Sequence, residues 1–528
     1  MPAKYPGIRK TADGSDVVVW VETHISQGAC AYPITPSTNM GQGFQAAVAN
    51  GNSNLWNEPL VFLELESEHS SASSCEGFAL AGGRVANFTS GQGLILMKEV
   101  LYTISGKRLP CIFHIGARAL TSQSLNIHAG HDDVMGVADT GWGMLFAKNA
   151  QEACDFALIS RKVAEKTKTP FMNIQDGFLT THTLETVFLP EKEMMKEFIG
   201  APQENLFNFM NPSDGLMTGV VQNQDSYMKG KIAQRFFYDG IVLALRKSMK
   251  EFSALTGRSY GLIDEYKVKD AEYVVVGLGS AMETAMEVVG DIRQRTGQKI
   301  GVLNIVSFRP FPTFEIVKAL RSSKAIAVLE RLDIPLMQSN PLTSEIKASF
   351  ADAVSSGLIK KMPHIHSGVY GLGGRDTRHE DFEAVFKMLC GAQKKNRFFS
   401  LGIKHKTALK RPAQKKRIGS LDTFSLRGHS IGGYGSITTN KILATLVSDL
   451  FNLYVQAFPK YGSEKKGLPT NYYLSIAKNK IRSHCELTFV DYVALNNLNV
   501  FRYANPLDGL CAHRNTALLT TRVLSRVA

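Results

Sequence analysis

The sequence contains few cysteines, and none of them are paired in a metal-binding or redox motif. Seven cysteines are scattered over 528 residues, and no two are spaced as Cys-x-x-Cys. An odd number of dispersed cysteines is typical of a reducing compartment. The pattern argues against a disulfide framework and against an iron–sulfur cluster or zinc site built by this chain alone.

Long apolar runs are also missing. No segment approaches the ~18 consecutive apolar residues that a membrane span needs, and residues 1–16 lack the apolar centre of a signal peptide. The composition, 44% hydrophobic and 20% charged, is that of a globular protein, and the length predicts roughly three domains. We therefore expect a cytoplasmic protein without membrane contact.

Acidic residues are absent from residues 394–417, which carry ten lysines and arginines. This segment supplies most of the formal net charge of +13. Apart from Phe398 and Phe399 it lacks aromatic residues that could stack on bases, and no nucleic-acid motif follows it. We interpret it as a solvated linker between domains, with contact to a polyanion or an acidic partner as the alternative. We expect no nucleic-acid binding.

Short apolar strands alternate with amphipathic helices along most of the chain. One strand ends at Arg118, a helix covers residues 150–166, and another strand starts at Tyr273. This alternation predicts an α/β fold with parallel sheets covered on both faces. Ligands collect at the carboxyl ends of such strands, and Thr35, Glu68 and Arg118 all follow predicted strand ends.

Two of these residues have distinctive surroundings. The sequence YPITPS at residues 32–37 puts Thr35 between two prolines, which predicts a rigid extended turn that holds its hydroxyl in place. Glu68 ends a charged strand and begins a segment of small residues. It is either an ordinary first-turn acid favoured by the helix dipole or a buried acid with a chemical role.

Glycine-rich turns occur in the second and third parts of the chain. The sequence GLGS at residues 277–280 follows a strand, but Met282 replaces the third glycine of a dinucleotide fingerprint. We interpret it as a tight strand-to-helix turn rather than a nucleotide site. Farther on, a basic loop with Lys460, Lys465 and Lys466 suits the phosphates of a cofactor, although a solvated loop fits its composition equally well.

Together these motifs resemble the pyruvate:ferredoxin oxidoreductases, a family of 2-oxoacid:acceptor oxidoreductases. The motifs that carry the resemblance run in one collinear order: YPITPS at 32–37, SE at 67–68, TSGQG at 89–93, AR at 117–118, QDGF at 175–178 and FRPF at 308–311. The resemblance extends from Gly14 to Leu510. It is to the fused alpha–gamma portion of the family.

The resemblance implies three domains. The first, at residues 14–257, would be a transketolase-like domain that binds the pyrimidine ring of thiamine diphosphate. The second, at 258–392, would be similar to the C-terminal domain of transketolases, and a gamma domain at 425–528 would follow the basic linker at 393–424. From about residue 511 the sequence departs from the family pattern, so we expect a partial gamma domain with an unpaired sheet edge.

The resemblance also implies an activity: thiamine-diphosphate-dependent oxidative decarboxylation of pyruvate with coenzyme A, with electrons passed to ferredoxin or flavodoxin. Glu68 occupies the position of the catalytic glutamate that hydrogen-bonds the pyrimidine ring. Thr35 and Arg118 occupy positions that bind the 2-oxo acid, and a planar guanidinium suits its carboxylate. Lys460, Lys465 and Lys466 would contact coenzyme A.

By the same resemblance, the diphosphate, its Mg²⁺ and at least one [4Fe-4S] cluster belong to a partner, either a beta subunit or a further part of a longer chain. We expect activity only with that partner and a dimer of alpha–beta units. An alternative substrate is 2-oxoglutarate. An alternative of another class is a non-catalytic scaffold subunit that keeps the fold.

Overall fold

The computed structural model describes residues 3–391, 398–413, 417–419, 422–433, 435–460, 469–502, 504–511 and 518–520. Within these ranges the strands form three sheets. The first two are mainly parallel and packed with helices, as the alternation in the sequence predicts. None of the described helices combines the length and apolar character that crossing a bilayer requires.

The first sheet carries most of the predicted site. From edge to edge it consists of β12 (Ser307–Arg309), β6 (Gly143–Ala147), β7 (Phe171–Asp176), β5 (Ile112–Ala117), β4 (Val85–Thr89), β2 (Gly28–Ala31) and β3 (Val61–Glu64). All neighbours are parallel except β12, which runs antiparallel to β6. The interior strands are buried along their whole length, and their carboxyl ends share one edge.

Seven helices accompany this sheet: α1 (Gly14–Ile25), α2 (Thr38–Ala49), α3 (Glu68–Leu80), α4 (Gly91–Leu96), α5 (Lys98–Gly106), α6 (Asp132–Gly136) and α7 (Ala150–Thr167). Local sequence explains where several begin. Asp13 forms a capping box with Asp16 at the start of α1, and Asn149 accepts a hydrogen bond from the Glu152 amide at the start of α7. Such caps satisfy amides that have no partner within the helix.

The second sheet consists of β15 (Phe398–Ser400), β14 (His364–Val369), β13 (Ala325–Glu330), β10 (Tyr273–Gly277), β11 (Ile300–Ile305) and the antiparallel edge strand β9 (Ile263–Tyr266). Its helices are α13 (Ala281–Thr296), α14 (Thr313–Leu320), α15 (Pro341–Ser355) and α16 (His379–Cys390). Apolar side chains of the first and second sheets belong to one continuous core. The two units therefore pack as one body around the first sheet's carboxyl edge.

Between these units the chain forms α8 (Lys192–Ile199), α9 (Pro202–Asn205), a 3₁₀ helix at Pro212–Asp214, α10 (Gln224–Ala233), α11 (Arg235–Asp239) and α12 (Ile241–Thr256). Two further 3₁₀ helices lie elsewhere, at Leu372–Gly374 within the second unit and at Leu498–Arg502 in the C-terminal part. The α10–α11 segment exposes large apolar side chains, including Met228 and Phe236. By contrast, α12 packs against α7.

The third sheet is assembled from distant parts of the chain. Its order is β1 (Ile8–Ala12), β8 (Leu184–Leu189), β17 (Tyr454–Pro459), β18 (Pro469–Ala477), β16 (Phe424–Ile431), β19 (Tyr492–Leu495) and β20 (Leu518–Thr520), with α17 (Ser436–Phe451) packed on it. The first two strands come from the N-terminal part and join β17. Strands from different expected domains therefore pair in one sheet.

The structure corrects the expectation of a solvated linker and adds a strand to the predicted gamma domain. The basic segment is not simply a solvated linker, because β15 lies within it and pairs with β14, and burial of Phe399 gives the strand an apolar anchor. In the third sheet, β19 is not the last strand. It pairs in parallel with β20, a strand within the tail for which the sequence predicted no element.

Candidate functional site

Thr35 lies on the turn between β2 and α2, directly before Pro36. The proline packs on two glycines: a Cβ added to Gly116 would lie 3.1 Å from the proline Cγ, and one added to Gly177 would lie 2.7 Å from it. Thr35 is half-buried, and its carbonyl oxygen accepts a hydrogen bond of 2.9 Å from Arg118 Nη1. The turn is thus seated on the ends of β5 and β7.

Glu68 is the first residue of α3, and the preceding Ser67 caps the helix by accepting a hydrogen bond from the Ser70 amide. Its side chain is only 9% exposed. The carboxylate forms no hydrogen bond or ion pair with any residue that the structure describes. A helix N-terminus favours a negative charge, and a buried carboxylate without a protein partner is available to a ligand.

The turn after β4 brings Glu68 and Arg118 to one surface. A Cβ on Gly93 would lie 2.7 Å from Glu68 Oε1, and a Cβ on Gly91 would lie 2.9 Å from Arg118 Cδ. Gly91 also has a φ of +53°, a conformation that glycine adopts without strain. The two glycines of the TSGQG motif therefore allow an acid and an arginine to lie against the same turn.

Arg118 follows β5, and its guanidinium is held on two sides. Nε donates to the Asn126 carbonyl at 3.2 Å and Nη1 to the Thr35 carbonyl at 2.9 Å. Within the described ranges, Nη2 has no hydrogen-bond partner and no carboxylate forms an ion pair with the group. Burial lowers the pKa of Arg118. A buried cation without a counter-ion is costly, so this guanidinium is suited to an anionic ligand.

Asp133 orients the main chain on which Arg118 stands. It is fully buried, and its Oδ2 accepts hydrogen bonds from the amides of Gly91 at 2.7 Å and Arg118 at 3.0 Å. Burial raises the pKa of Asp133 to about 7 despite these donors. The sequence analysis did not identify Asp133; its only signal is the pair of acids in a polar loop.

His131 lies directly before α6. It is 1% exposed, and its Nε2 lies 2.7 Å from Asp176 Oδ1. The ring also packs edge-on against Phe146. His131 is therefore a buried interface residue that faces Asp176 rather than the Glu68 surface.

Lys460, the one predicted lysine that the structure describes, lies apart from this surface. Lys460 borders a cavity of about 330 Å³ and forms an ion pair of 2.7 Å with Glu486. Lys465 and Lys466 lie outside the described residues. The structure thus brings Thr35, Glu68 and Arg118 together around one turn. Lys460 instead lines a neighbouring cavity, which His128 and Phe178 of the first unit also line.

Three family models match the chain in succession. Residues 22–250 match pyruvate flavodoxin/ferredoxin oxidoreductase, thiamine diphosphate-binding. Residues 271–382 match pyruvate:ferredoxin oxidoreductase core domain II, and residues 425–513 match pyruvate ferredoxin/flavodoxin oxidoreductase. All three models name one kind of enzyme.

Characterised relatives agree with these matches. A pyruvate-flavodoxin oxidoreductase from Nostoc is 34% identical over 396 residues, which cover 74% of this chain and 96% of that protein. One from Klebsiella pneumoniae is 33% identical over 510 residues, 96% of this chain but 43% of that protein. The chain thus spans less than half the length of the longer relatives that it matches.

A solved structure supports the fold. The 2-oxoglutarate:ferredoxin oxidoreductase from Magnetococcus marinus aligns with a TM-score of 0.51 and 18% identity, covering 70% of this chain and 63% of that one. That likeness concerns the fold alone. The three successive models and the identity to the Nostoc relative show that the chain belongs to the pyruvate:ferredoxin/flavodoxin oxidoreductase family.

Proposed function

We propose that this chain is the alpha–gamma part of a cytoplasmic, thiamine-diphosphate-dependent 2-oxoacid:ferredoxin or flavodoxin oxidoreductase. The overall reaction converts pyruvate and coenzyme A into acetyl-coenzyme A, CO₂ and a proton, while two electrons pass to the acceptor. The observation that carries the proposal is a surface on which the Glu68 carboxylate and the Arg118 guanidinium lie against one glycine turn, while neither forms an ion pair with the residues that the structure describes.

The residues present fit an aminopyrimidine ring. Glu68 is shielded from water, its carboxylate forms no hydrogen bond with the residues that the structure describes, and the bare backbone of Gly93 lets that carboxylate lie against the turn. Glu68 would hold the ring through a hydrogen bond to its nitrogen and take part in moving a proton there. When bound, thiamine diphosphate supplies the nucleophilic carbon that the decarboxylation requires.

Arg118 and Thr35 would hold the 2-oxo acid. The free Nη2 of Arg118 and its neighbouring N–H groups can donate to a carboxylate, and the Thr35 hydroxyl lies on the rigid turn beside them. Because Asn126 and the Thr35 carbonyl already hold the guanidinium, little side-chain entropy is lost when the substrate binds.

The cavity beside this surface would receive part of coenzyme A. Besides Lys460 its lining includes three further cations, Arg375, Arg378 and Arg411, and the rings of Phe178 and Phe458. Cations suit phosphate groups and apolar rings suit the pantetheine arm. Lys465 and Lys466 remain candidates for the same phosphates.

The diphosphate, its Mg²⁺ and the [4Fe-4S] cluster are assigned in this proposal to a beta subunit or to a further part of a longer chain, in a dimer of such units. The segment from Met210 to Phe237 supports an assembly because its large apolar side chains are strongly exposed; Met217 is 84% exposed and Phe236 is 78% exposed. Exposed apolar patches of this kind mark protein–protein contacts.

Reconstitution tests the proposal. The chain would be combined with the beta part encoded in the same organism, thiamine diphosphate, Mg²⁺ and coenzyme A, and viologen reduction would be measured with pyruvate, 2-oxoglutarate and a branched 2-oxo acid. We expect pyruvate to give the highest kcat/KM. A higher kcat/KM for 2-oxoglutarate would make that acid the substrate. No viologen reduction with any of the acids would favour the non-catalytic scaffold alternative.

A further inference from the structure

Asp176 lies at the carboxyl end of β7 and is 1% exposed. One of its oxygens, Oδ1, faces His131 Nε2 at 2.7 Å. The other, Oδ2, accepts hydrogen bonds from the Ser280 amide at 2.9 Å and the Ser280 hydroxyl at 2.6 Å, and it lies 3.6 Å from Arg331 Nη2. A single carboxylate thus joins the first unit to the second.

This contact explains the GLGS turn at residues 277–280. Gly279 has a φ of +73°, and a Cβ on it would lie 2.8 Å from Asp176 Oδ2. Ser280 precedes α13, whose N-terminus favours an anion. In a dinucleotide-binding protein that anion is a phosphate. Here it is the Asp176 side chain, so the turn accepts an internal carboxylate.

The second unit also contacts the segment that follows Arg118. The His131 amide donates to the Arg331 carbonyl at 2.9 Å, and Arg331 Nη1 donates to the Gly371 carbonyl at 3.1 Å. Burial alone would raise the pKa of Asp176, but Arg331 and His131 hold it well below its usual range. The carboxylate is therefore charged and attracts both partners.

From His131 the connection to Arg118 is short. Asp133, two residues after His131, holds the amides of Arg118 and Gly91. In the same loop Asn126, whose carbonyl accepts from Arg118 Nε, lies against Gly373 of the second unit: a Cβ there would lie 2.5 Å from Asn126 Nδ2. The loop over residues 118–133 is thus tied to the second unit at two points, Asn126 and His131.

We propose that Asp176 is a positioning residue that couples the GLGS turn of the second unit to Arg118 through His131 and Asp133. The inference deepens the proposed function because it rests on Arg118 binding the substrate carboxylate. Through these contacts the second unit would set the affinity for the 2-oxo acid.

The test compares Asp176→Asn with a matched control, Asp155→Asn. Asp155 is also a fully buried carboxylate, and it binds Arg258 and Tyr260 on the outer side of α7. Asp176→Asn should raise KM for pyruvate by roughly tenfold to a hundredfold, more than it lowers kcat. In the full chain it should also speed amide exchange over residues 118–131 by about tenfold. The control should lower the melting temperature but leave both readouts unchanged.

Ser280→Ala provides a milder variant if Asp176→Asn fails to fold. It removes one of the two donors to Asp176 Oδ2 and should raise KM by about threefold, with faster exchange in the same loop. Equal KM values and equal loop exchange in the Asp176, Ser280 and Asp155 variants would overturn the coupling. If the wild-type enzyme turns over no 2-oxo acid, the proposed function fails, and the exchange comparison alone still decides the coupling.

Discussion

At the scale of single residues, Glu68 combines low exposure with a carboxylate that no described side chain engages. Natural proteins rarely leave a buried charge without a partner, because its desolvation is then uncompensated. The cost is reduced here by the N-terminus of α3. Such a residue has more to contribute to a bound ligand than to the stability of the fold.

Glu68→Gln should therefore separate chemistry from folding. The amide keeps the shape but cannot exchange a proton, so viologen reduction by the reconstituted enzyme should fall by roughly 10²–10⁴-fold. The melting temperature should not change, because the Glu68 carboxylate forms no hydrogen bond with the part of the chain that the structure describes. Glu64→Gln, on the exposed face of β3, serves as the control. Near-wild-type rates for the Glu68 variant would remove this residue from the mechanism.

Arg118→Lys keeps the positive charge but removes the planar group that spans two carbonyls. An ammonium cannot donate at once to Asn126 and Thr35 and also present a free fork to a carboxylate. We expect KM for pyruvate to rise by roughly tenfold to a hundredfold with a smaller change in kcat. Arg246→Lys, at an exposed ion pair with Glu315, should behave like wild type. An unchanged KM for the Arg118 variant would contradict the carboxylate role.

Asp133 should make stability depend on pH. Its pKa is raised from an ordinary value of 3.8 to about 7, so the folded chain binds this proton more tightly than the unfolded chain does. The resulting stabilisation is complete below about pH 4 and is lost as the pH rises through about 7. As the pH rises from about 4 to about 7, the melting temperature of the wild type should fall relative to that of Asp133→Asn. The melting temperature of Asp214→Asn, a substitution at an exposed position, should keep a constant difference from that of the wild type. A pH-independent difference would rule out titration of Asp133.

At the scale of elements, local sequence predicted the regular parts well. The helix expected over residues 150–166 is α7 (Ala150–Thr167), and the strand expected from Tyr273 is β10. In both, apolar periodicity and burial agree. The sequence also predicted that Thr35, Glu68 and Arg118 lie at strand ends or on the turns after them, and each lies just beyond a strand.

Other features depend on partners far away in sequence and left little local signal. Asp133 resembles a solvated loop acid until Gly91 and Arg118 are brought to it. The GLGS turn was correctly interpreted as a strand-to-helix turn, but nothing near it indicated that Asp176 would occupy the helix N-terminus. Within the basic segment, the run of charged residues gave no indication of strand β15, which one buried aromatic ring anchors.

That ring belongs to Phe399, which is fully buried over Gly368. Phe399→Ala should destabilise β15 and its pairing with β14 by about 3–5 kcal/mol, the usual cost of emptying a buried aromatic site. Amide exchange in β14 and β15 would report the loss. Phe398→Ala is the matched control, because Phe398 is 42% exposed and should cost about 0.5 kcal/mol or less. Equal effects of the two substitutions would mean that β15 is not anchored by this ring.

At the scale of the whole molecule, the third sheet ties the N-terminal part to the gamma region. Besides strand pairing, Arg9 of β1 donates to the carbonyls of Ser448 at 2.7 Å and Leu453 at 2.6 Å. These carbonyls lie at or just beyond the C-terminal end of α17, where a helix leaves acceptors without internal partners and favours a cation. Arg9 therefore stabilises a helix more than 400 residues away in sequence.

Arg9→Ala should loosen the last turn of α17. We expect amide exchange there to become roughly tenfold faster, equivalent to the loss of one or two charge-assisted hydrogen bonds. Lys10→Ala, at the next and exposed position of the same strand, should leave α17 unchanged. Slow exchange in both variants would mean that strand pairing alone holds the N-terminal segment to the third unit.

The position of β1 in the third sheet has a consequence for synthesis on the ribosome. Its first partner, β8, begins at Leu184, and at typical translation rates of 5–20 residues per second that residue emerges roughly 10–30 s after Ala12. Throughout that interval the nascent strand has an open edge. The strand is only five residues long and carries Arg9 and Lys10, and short, cationic edges resist aggregation. Arg9 and Lys10 would thus reduce aggregation of the nascent chain, and Arg9 would later bind the C-terminal end of α17.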